Sequence, residues 1–315
     1  MIARAVERYA SAQTELRRHL IYLNIRHVVE RVLLFGPTAL TRWVCGREMP
    51  VQAMGIRMTM DLSALSDFAM ALRIKLFGGY ERGATALVDR CLEPGDTFVD
   101  IGANSGYFSL VAAQIVGPEG RVYSIEPGPS QVKRLRRNLD SSGNASTVTV
   151  LPYAASNFDG RTLLYESYSM DGRDSLQRKT GSATQVEVHR LDSVLPEAVV
   201  AVAKIDVEGE ELHALQGMER ILNRSKRIRL IIEWNVAYAR PELWKFLDER
   251  FWVWVIRANS PYIRGAPIND PSTITGVQDL WCIPKRAEEM RPAFPLYAPA
   301  SAAGLASPDS QADHP

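Results

Sequence analysis

The segment 97–109 holds residues whose types and spacing can bind a ligand. It reads Thr-Phe-Val-Asp-Ile-Gly-Ala-Asn-Ser-Gly-Tyr-Phe-Ser, so an apolar run ends in Asp100 and is followed by Gly102 and Gly106. Glycine has no Cβ atom, which lets the backbone turn sharply and admit a ligand. A helix that starts after such a turn presents N–H groups to a carboxylate or phosphate, whereas Asp100 suits an ammonium group. The segment therefore favours a zwitterionic amino-acid moiety as its ligand.

The spacing within this loop separates two classes of cofactor. A nicotinamide fingerprint places its glycines as G-x-G-x-x-G. This chain instead has Asp100-x-Gly102-x-Asn104-x-Gly106, and asparagine tolerates positive φ better than most residues. The spacing disfavours a nicotinamide dinucleotide, and a structural turn without any ligand remains the alternative on this motif alone.

Three more acidic residues follow predicted strands. Glu126 ends the strand 121–125, where a carboxylate can accept the protons of both ribose hydroxyls. A solvated strand-end carboxylate is its alternative role. Asp206 and Glu208 lie at the end of the strand 201–207, where a carboxylate can orient a hydroxyl group of a ligand and receive its proton. Glu208 has the alternative of stabilising the dipole of the next helix, so Asp206 ranks above it as the catalytic residue.

Strands and helices alternate along the chain, which predicts an α/β fold with a mostly parallel sheet. The predicted strands cover 98–101, 121–125, 148–151, 201–207, 228–234, 251–256 and 279–283. The predicted helices cover 65–77, 84–91, 131–139, 210–222 and 241–250. Ligands of such sheets bind outside the carboxyl ends of the strands. The candidate residues at those ends are Asp100, Glu126, Ala155, Asp206 and Glu233.

Three regions are predicted along the chain. Residues 1–50 form a helical extension, 51–284 form the main domain, and 285–315 form a disordered tail rich in Ala, Pro and Ser. The main domain begins with a hairpin over 51–61 and carries an inserted hairpin over 159–191. The first 48 residues carry eight Arg against four Glu, and a basic amphipathic helix can lie on an anionic membrane surface. Packing against its own domain or a homodimer partner is the more common role of such a helix.

Composition excludes several classes of protein. The chain has 315 residues, of which 46% are hydrophobic, enough for a substantial core. Its 37 basic and 36 acidic residues give a net charge of +1, which argues against nucleic acid as a partner. The three cysteines lack the spacing of metal ligands. No apolar run has the length of a membrane span or the pattern of a secretory signal. These features favour the cytoplasm as the location of the protein. Asp206, Glu208 and Glu233 can converge, but no ligand spacing demands a metal.

Four motifs occur in order: Asp-Ile-Gly-Ala-Asn-Ser-Gly-Tyr-Phe-Ser, Ser-Ile-Glu-Pro, Arg-Leu-Asp-Ser-Val-Leu and Lys-Ile-Asp-Val-Glu-Gly-Glu-Glu. In this order and spacing they closely resemble the FkbM family of methyltransferases, over residues 55–284. The resemblance implies a Rossmann-like class I fold with a seven-stranded, mostly parallel sheet, helices on both faces and an antiparallel last hairpin. It also implies transfer of a methyl group from S-adenosylmethionine, usually to an oxygen atom. Acceptors in the family include hydroxyls on sugars, glycolipids and polyketides.

The resemblance also implies roles for individual residues, in a loop similar to the acidic-x-Gly-x-Gly-x-Gly loop of class I methyltransferases. The cofactor-binding residues that it implies are Tyr80, Glu81, Asp100, Gly102, Ala103, Asn104, Gly106, Glu126, Pro127 and Ala155. Within this set the loop residues would contact the methionine moiety, Glu126 the ribose, and Pro127 and Ala155 the adenine. Tyr80 and Glu81 would close over the cofactor.

An S-adenosylmethionine-dependent O-methyltransferase is therefore the leading hypothesis. A sulfonium is already a good leaving group, so the protein must mainly align the acceptor oxygen, the methyl group and the sulfur. The expected acceptor is a hydroxyl on a sugar, glycolipid or secondary metabolite, and the expected location is the cytoplasm, with possible contact to the inner face of the membrane. A nicotinamide-dependent oxidoreductase and a catalytically silent cofactor-binding scaffold are the alternatives. His213 is predicted to lie at the surface, and His189 can border the acceptor pocket.

Overall fold

The computed structural model describes residues 47–165, 183–238, 240–257 and 266–286, without the side chain of Leu65. Almost all of the predicted N-terminal extension and of the predicted tail lies outside these ranges, as does the middle of the predicted inserted hairpin. The division of the chain into three regions therefore stays a prediction.

The described ranges contain strands, α-helices and two short 3₁₀-helices. The strands are β1 (Glu48–Ala53), β2 (Ile56–Asp61), β3 (Thr97–Ile101), β4 (Arg121–Ile125), β5 (Val148–Leu151), β6 (Ala154–Ala155), β7 (Gly160–Tyr165), β8 (Ala183–His189), β9 (Val202–Ile205), β10 (Arg229–Asn235), β11 (Phe251–Ile256) and β12 (Val277–Pro284). The α-helices are α1 (Leu65–Phe77), α2 (Arg82–Cys91), α3 (Tyr107–Val116), α4 (Pro129–Ser142), α5 (Leu191–Val194), α6 (Glu211–Gln216), α7 (Glu219–Arg224) and α8 (Pro241–Arg250). None of these helices combines the length and the apolar character that crossing a bilayer requires.

Seven of the described strands form one sheet in the order β11-β12-β10-β9-β3-β4-β5. The five strands from β10 to β5 are parallel, whereas β12 is antiparallel to β10 and to β11. This confirms the predicted α/β fold with a mostly parallel sheet and an antiparallel last hairpin. The chain adds strands on one side of β3 first and then on the other, so the order switches between β3 and β9. Ligands of α/β sheets bind at such a switch point.

Alternate residues of each strand enter two hydrophobic cores. Phe98 and Val202 belong to a core that includes side chains from α1 to α4. Their neighbours Val99 and Ala203 belong to a second core, which includes side chains from α6, α7 and α8. The sheet is therefore covered on both faces, which explains why β9 and β10 read as nearly continuous apolar runs.

Two smaller sheets accompany the main sheet in the ranges that the structure describes. β1 and β2 form the predicted antiparallel hairpin. β7 and β8 also pair in antiparallel fashion, and the short β6 joins β8 in parallel. The strand pairing of the predicted inserted hairpin is thus confirmed for the part that the structure describes.

The buried side chain of Asn138 on α4 connects the first hairpin to the loop after β3. Its Nδ2 donates to the carbonyl oxygen of Ser105 (2.9 Å), and its Oδ1 accepts from the N–H of Thr59 (2.9 Å). The buried carboxylate of Asp67 on α1 lies 3.4 Å from Nε of Arg134 on the same α4 helix. Buried polar contacts of this kind are costly to break, so α4 fixes the position of the loop.

The predicted helix over 210–222 is wrong as a single element, because α6 and α7 are separated at Gly217. A Cβ atom on Gly217 would lie 1.9 Å from the carbonyl oxygen of Ser156. Glycine is therefore needed for the close approach of two backbone segments, and no local pattern in the sequence reveals this contact.

A buried carboxylate from another element starts α7. Asp192 accepts hydrogen bonds from the N–H groups of Arg220 (2.9 Å) and Ile221 (3.0 Å). These are N–H groups in the first turn of α7, which have no partner within the helix. Asp192 thus performs the role of an N-cap although it is remote in sequence.

We expect Gly217→Ala to lower the free energy of unfolding by at least about 1 to 3 kcal/mol, because the new methyl group would overlap the Ser156 carbonyl. Gly79→Ala is the matched control, since a Cβ atom there would meet only the flexible side chain of Arg82, at 3.4 Å. Denaturant unfolding monitored by circular dichroism measures both variants. Wild-type stability of Gly217→Ala would show that the two segments can separate without cost.

Candidate active site

The loop between β3 and α3 has the backbone conformation that the sequence predicts. Gly102, Asn104 and Gly106 adopt φ angles of 87°, 49° and 94°, all in the left-handed region. Asn104 therefore takes a conformation that most residues avoid, as expected for an asparagine in place of a glycine.

The space beside the two glycines is filled by protein atoms, so the expectation that their missing Cβ atoms admit a ligand is wrong. A Cβ atom on Gly102 would lie 2.0 Å from the carbonyl oxygen of Asp206, and one on Gly106 would lie 2.4 Å from Cδ1 of Leu135. The N–H of Asp206 also donates to the carbonyl oxygen of Ile101 (2.9 Å). Gly102 therefore lets the carboxyl ends of β3 and β9 meet. Contacts of this loop with a cofactor stay a prediction.

Asp100 lies in β3 as a buried carboxylate that serine hydroxyls hold in place. Its Oδ2 accepts from Oγ of Ser109 (2.6 Å), which in turn accepts from Oγ of Ser124 (2.7 Å). Burial raises the pKa of Asp100 to about 6, although the Ser109 hydrogen bond and the charge of Lys204 act in the opposite direction. Sequence reasoning missed both serines, because they belong to α3 and β4 and reach Asp100 only in the folded chain.

Glu126 follows β4 and is oriented by two backbone N–H groups. Its Oε2 accepts from the N–H of Asn104 (2.8 Å), and its Oε1 accepts from the N–H of Gly128 (2.8 Å). The side chain is buried, so the alternative of a solvated strand-end carboxylate is wrong. Each carboxylate oxygen has two lone pairs, which lets a fixed carboxylate accept further hydrogen bonds from a diol.

The residues predicted near adenine differ in burial. Ala155 is buried in β6 and is paired with His189 of β8, while Pro127 is partly exposed. The ring of Tyr153 meets the ring of His189 edge-on at 4.7 Å, and burial raises the pKa of Tyr153. In the part of the chain that the structure describes, the buried Tyr153 hydroxyl has no hydrogen-bond partner. The structure thus brings His189 to the predicted adenine side, and its role towards an acceptor stays a prediction.

Tyr80 and Glu81 lie in the link between α1 and α2. The Tyr80 ring packs edge-on against the Tyr107 ring, with 5.4 Å between the ring centres. Glu81 has a φ of 39°, and its Oε2 lies 3.7 Å from Nζ of Lys204. Positive φ is strained for a glutamate, and such strain is typical of functional segments.

Lys204 is a buried cation at the centre of the site that sequence reasoning missed. It is paired with Asp100 of β3 in the sheet register, and its Nζ lies 2.8 Å from Oδ2 of Asp206. The ammonium also lies over the Phe108 ring, 4.8 Å from the ring centre. Burial alone lowers the pKa of Lys204, but the carboxylates of Asp206, Glu81 and Asp279 raise it well above its ordinary value. The sequence signal that could have revealed Lys204 is the presence of a lysine inside an otherwise apolar strand.

Asp206, Glu208 and Glu233 converge, as the sequence suggested. One carboxylate oxygen from each lies within 4.8 Å of the others, and Glu208 and Glu233 are buried. Such a set of carboxylate oxygens can hold a hard divalent cation or accept hydrogen bonds from several hydroxyls. The expectation that this cluster holds no metal stays a prediction.

Glu211, rather than Glu208, provides the carboxylate at the start of α6. Its Oε1 accepts from the N–H groups of Gly209 (3.0 Å) and Val207 (3.3 Å). Burial raises the pKa of Glu211 to about 7. Glu208 instead has a φ of 53° and lies in the turn between β9 and α6, outside the helix. The alternative role predicted for Glu208 at the helix N-terminus therefore belongs to Glu211.

His213 on α6 is partly buried, although the sequence predicts a surface residue. Its Nδ1 lies 2.7 Å from Oε2 of Glu210, and its side chain is 33% exposed. The His213 ring is thus held by Glu210, three residues earlier in the chain, and this contact is local.

Comparison with known families identifies the central part of the chain. Residues 100–253 match the model of the methyltransferase FkbM domain. This range contains the loop after β3, the strands β4, β9 and β10, and the convergent carboxylates of Asp206, Glu208 and Glu233.

Similar proteins are methyltransferases as well. Methyltransferase sdnD from Sordaria araneosa is 27% identical over 201 residues, which cover 51% of this chain and 77% of sdnD. Hexuronic acid methyltransferase AglP from Haloferax volcanii is 27% identical over 160 residues, which cover 50% of this chain and 63% of AglP. The chain spans 30% or less of several protein-L-isoaspartate O-methyltransferases that it also matches. A solved SAM-dependent O-methyltransferase from Thermotoga maritima is 15% identical, with a TM-score of 0.38 and coverage of 75% of this chain and 86% of that one.

We expect Asp100→Asn to be more stable than the wild type above pH 6, by about 3 kcal/mol. The fold raises the pKa of this carboxyl from 3.8 to about 6, so the ionised form costs stability in the folded state. That cost is fully present above the folded pKa and is absent below the unfolded one, so the difference should vanish as the pH falls to about 4.

Denaturant unfolding across this pH range measures the effect, with Asp140→Asn on the exposed side of α4 as the control. The control should show no such gain with rising pH. Lower stability of Asp100→Asn throughout the range would mean that the charge of Lys204 outweighs the burial of Asp100.

Proposed function

The chain belongs to the FkbM family of methyltransferases by its match over residues 100–253. From this premise we propose that it transfers a methyl group from S-adenosylmethionine to a hydroxyl oxygen of a sugar-containing acceptor. One observation carries the proposal. Asp100, Glu126 and Asp206 stand at the carboxyl ends of the adjoining strands β3, β4 and β9, where the strand order switches.

The polar groups at these strand ends fit the parts of the cofactor. Asp100 is a buried carboxylate that suits an ammonium group, and Glu126 is a fixed carboxylate that suits the two ribose hydroxyls. Oδ1 of Asn104 is buried and has no hydrogen-bond partner among the described residues, so the loop offers a ligand one more acceptor. When bound, the cofactor supplies a methyl group on a positively charged sulfur, which is a good leaving group.

Asp206 is the residue that we assign to the acceptor. Its carboxylate can orient the acceptor hydroxyl and receive its proton while the carbon–oxygen bond forms and the carbon–sulfur bond breaks. An ammonium at 2.8 Å favours the charged form of a carboxylate, which is the form that accepts a proton. Glu208 lies close enough to share this role and ranks second.

A sugar is the acceptor class with the most support. AglP is named as a hexuronic acid methyltransferase and is similar to this chain over half of its length. The convergent carboxylates of Asp206, Glu208 and Glu233 suit a ligand with several neighbouring hydroxyl groups. A nicotinamide dinucleotide has less support, since the loop lacks the glycine spacing that it requires.

The cofactor assignment predicts that calorimetry detects binding of S-adenosylmethionine and of S-adenosylhomocysteine. Glu126→Gln should weaken both by about tenfold or more, because the ribose hydroxyls lose a charged acceptor. Glu93→Gln, an exposed acid before β3, should leave both affinities unchanged. Equal or tighter binding of a nicotinamide dinucleotide to the wild type would overturn the assignment.

The acceptor assignment predicts that Asp206→Asn retains the fold and much of the cofactor affinity but loses turnover by about 10²- to 10⁴-fold. Turnover is measurable without a known acceptor by adding methyl-labelled cofactor and fractionated extract from the source cells, then following label and mass in the fractions. Glu208→Gln should have the smaller effect. Wild-type turnover in Asp206→Asn would refute the role, and parallel loss of cofactor binding would move Asp206 to the cofactor site.

A further inference from the structure

The end of α1 and the start of α2 form a corner with an unusual surface. Leu76 and Phe77 are each 60% exposed, the largest exposure of any large apolar side chain in the ranges that the structure describes. Single exposed apolar residues are common, but two adjacent ones at a helix end form a small apolar patch. We call Lys75, Leu76, Phe77 and Arg82 the α1–α2 corner.

The charged side chains of this corner are basic. Lys75 and Arg82 are exposed, and neither forms an ion pair with another described residue. Glu81 is the one acidic residue in the segment 73–83 that could offset these charges. Its side chain, however, points inward to Lys204 and is only 19% exposed. The surface therefore combines apolar side chains with positive charges that form no ion pair with a described carboxylate.

We propose that the α1–α2 corner is a docking surface for an anionic membrane. Apolar side chains next to exposed Lys and Arg match the boundary between acyl chains and negatively charged headgroups. Residues 1–46 of the same chain carry seven Arg and three Glu. This segment is positively charged and is therefore not attracted to the basic α1–α2 corner. Both the segment and the corner are attracted to an anionic membrane surface.

The corner is linked to the candidate active site through a short chain of contacts. Phe77 is separated from Glu81 by Gly78, Gly79 and Tyr80, and Glu81 lies 3.7 Å from the ammonium of Lys204, which contacts Asp206. Docking through this corner places the bilayer beside the Tyr80–Glu81 link. The acceptor is then an amphipathic molecule that the membrane carries, such as a lipid-linked sugar, and this last step rests on the proposed function.

Membrane binding is tested on the full chain with vesicles of phosphatidylcholine alone and of phosphatidylcholine with phosphatidylglycerol. The wild type should sediment with the anionic vesicles at low salt and be released at high salt. The double variants Leu76→Ser/Phe77→Ser and Lys75→Gln/Arg82→Gln should each lose about tenfold or more in binding. Their melting temperatures should stay close to that of the wild type, because all four side chains are exposed.

Matched controls lie at the amino ends of the strands. Val199→Ser removes an equally exposed apolar side chain (59%), and Arg121→Gln removes an exposed charge at the start of β4. Both controls should bind vesicles like the wild type. Unchanged binding of the two corner variants, or equal loss in the controls, would overturn the proposal.

A change from dimer to monomer in Leu76→Ser/Phe77→Ser, measured by light scattering, would also overturn it and assign the corner to a second copy of the chain. The vesicle assay needs neither cofactor nor turnover. A failure of the vesicle assay would therefore not affect the proposal of methyl transfer. Likewise, a failure to bind the cofactor would not affect the proposal that the α1–α2 corner docks on a membrane.

Discussion

The buried ammonium of Lys204 fixes the geometry of the site. A buried charge is strongly destabilising unless other charges compensate it, and here Asp206 at 2.8 Å and Glu81 at 3.7 Å provide that compensation. Glu81 belongs to the link between α1 and α2, whereas Asp206 follows β9. One cation therefore connects a surface link to the end of a central strand. Loss of the lysine would leave carboxylates buried without a counter-charge, so the shape of the site and the stability of the fold depend on the same ion pairs.

Carboxylates outnumber cations around this lysine in the described part of the chain. The resulting negative charge favours a positively charged ligand over a neutral one. Under the proposed function, the product of the cofactor lacks the sulfonium charge, so the site holds the cofactor more strongly than its product. Burial raises the pKa of Asp100 to about 6 and that of Glu211 to about 7. The negative charge of the site therefore decreases as the pH falls through this range, and the preference for a cation decreases with it.

Much of the fold follows from local sequence, and the rest depends on contacts between distant residues. Helix α8 and strand β4 have the predicted boundaries, because turn residues and apolar runs mark both ends. The break between α6 and α7 was not predictable, since it depends on the approach of Gly217 to Ser156. The same limit applies to the site. Acidic residues at strand ends could be predicted from strand positions, whereas the serines that hold Asp100 become neighbours only when α3 and β4 pack against β3.

The role of Gly102 shows how a residue can be singled out correctly for an incomplete reason. Its lack of a side chain was predicted to make room for a ligand, but that room is taken by the carbonyl oxygen of Asp206. The N–H of Asp206 donates to Ile101, so β3 and β9 are joined at the point where their order switches. A larger residue at position 102 would push this junction apart and would displace the carboxylate of Asp206 together with its backbone. The requirement for glycine is therefore structural first, and it serves the site because the site is built on the junction of these two strands.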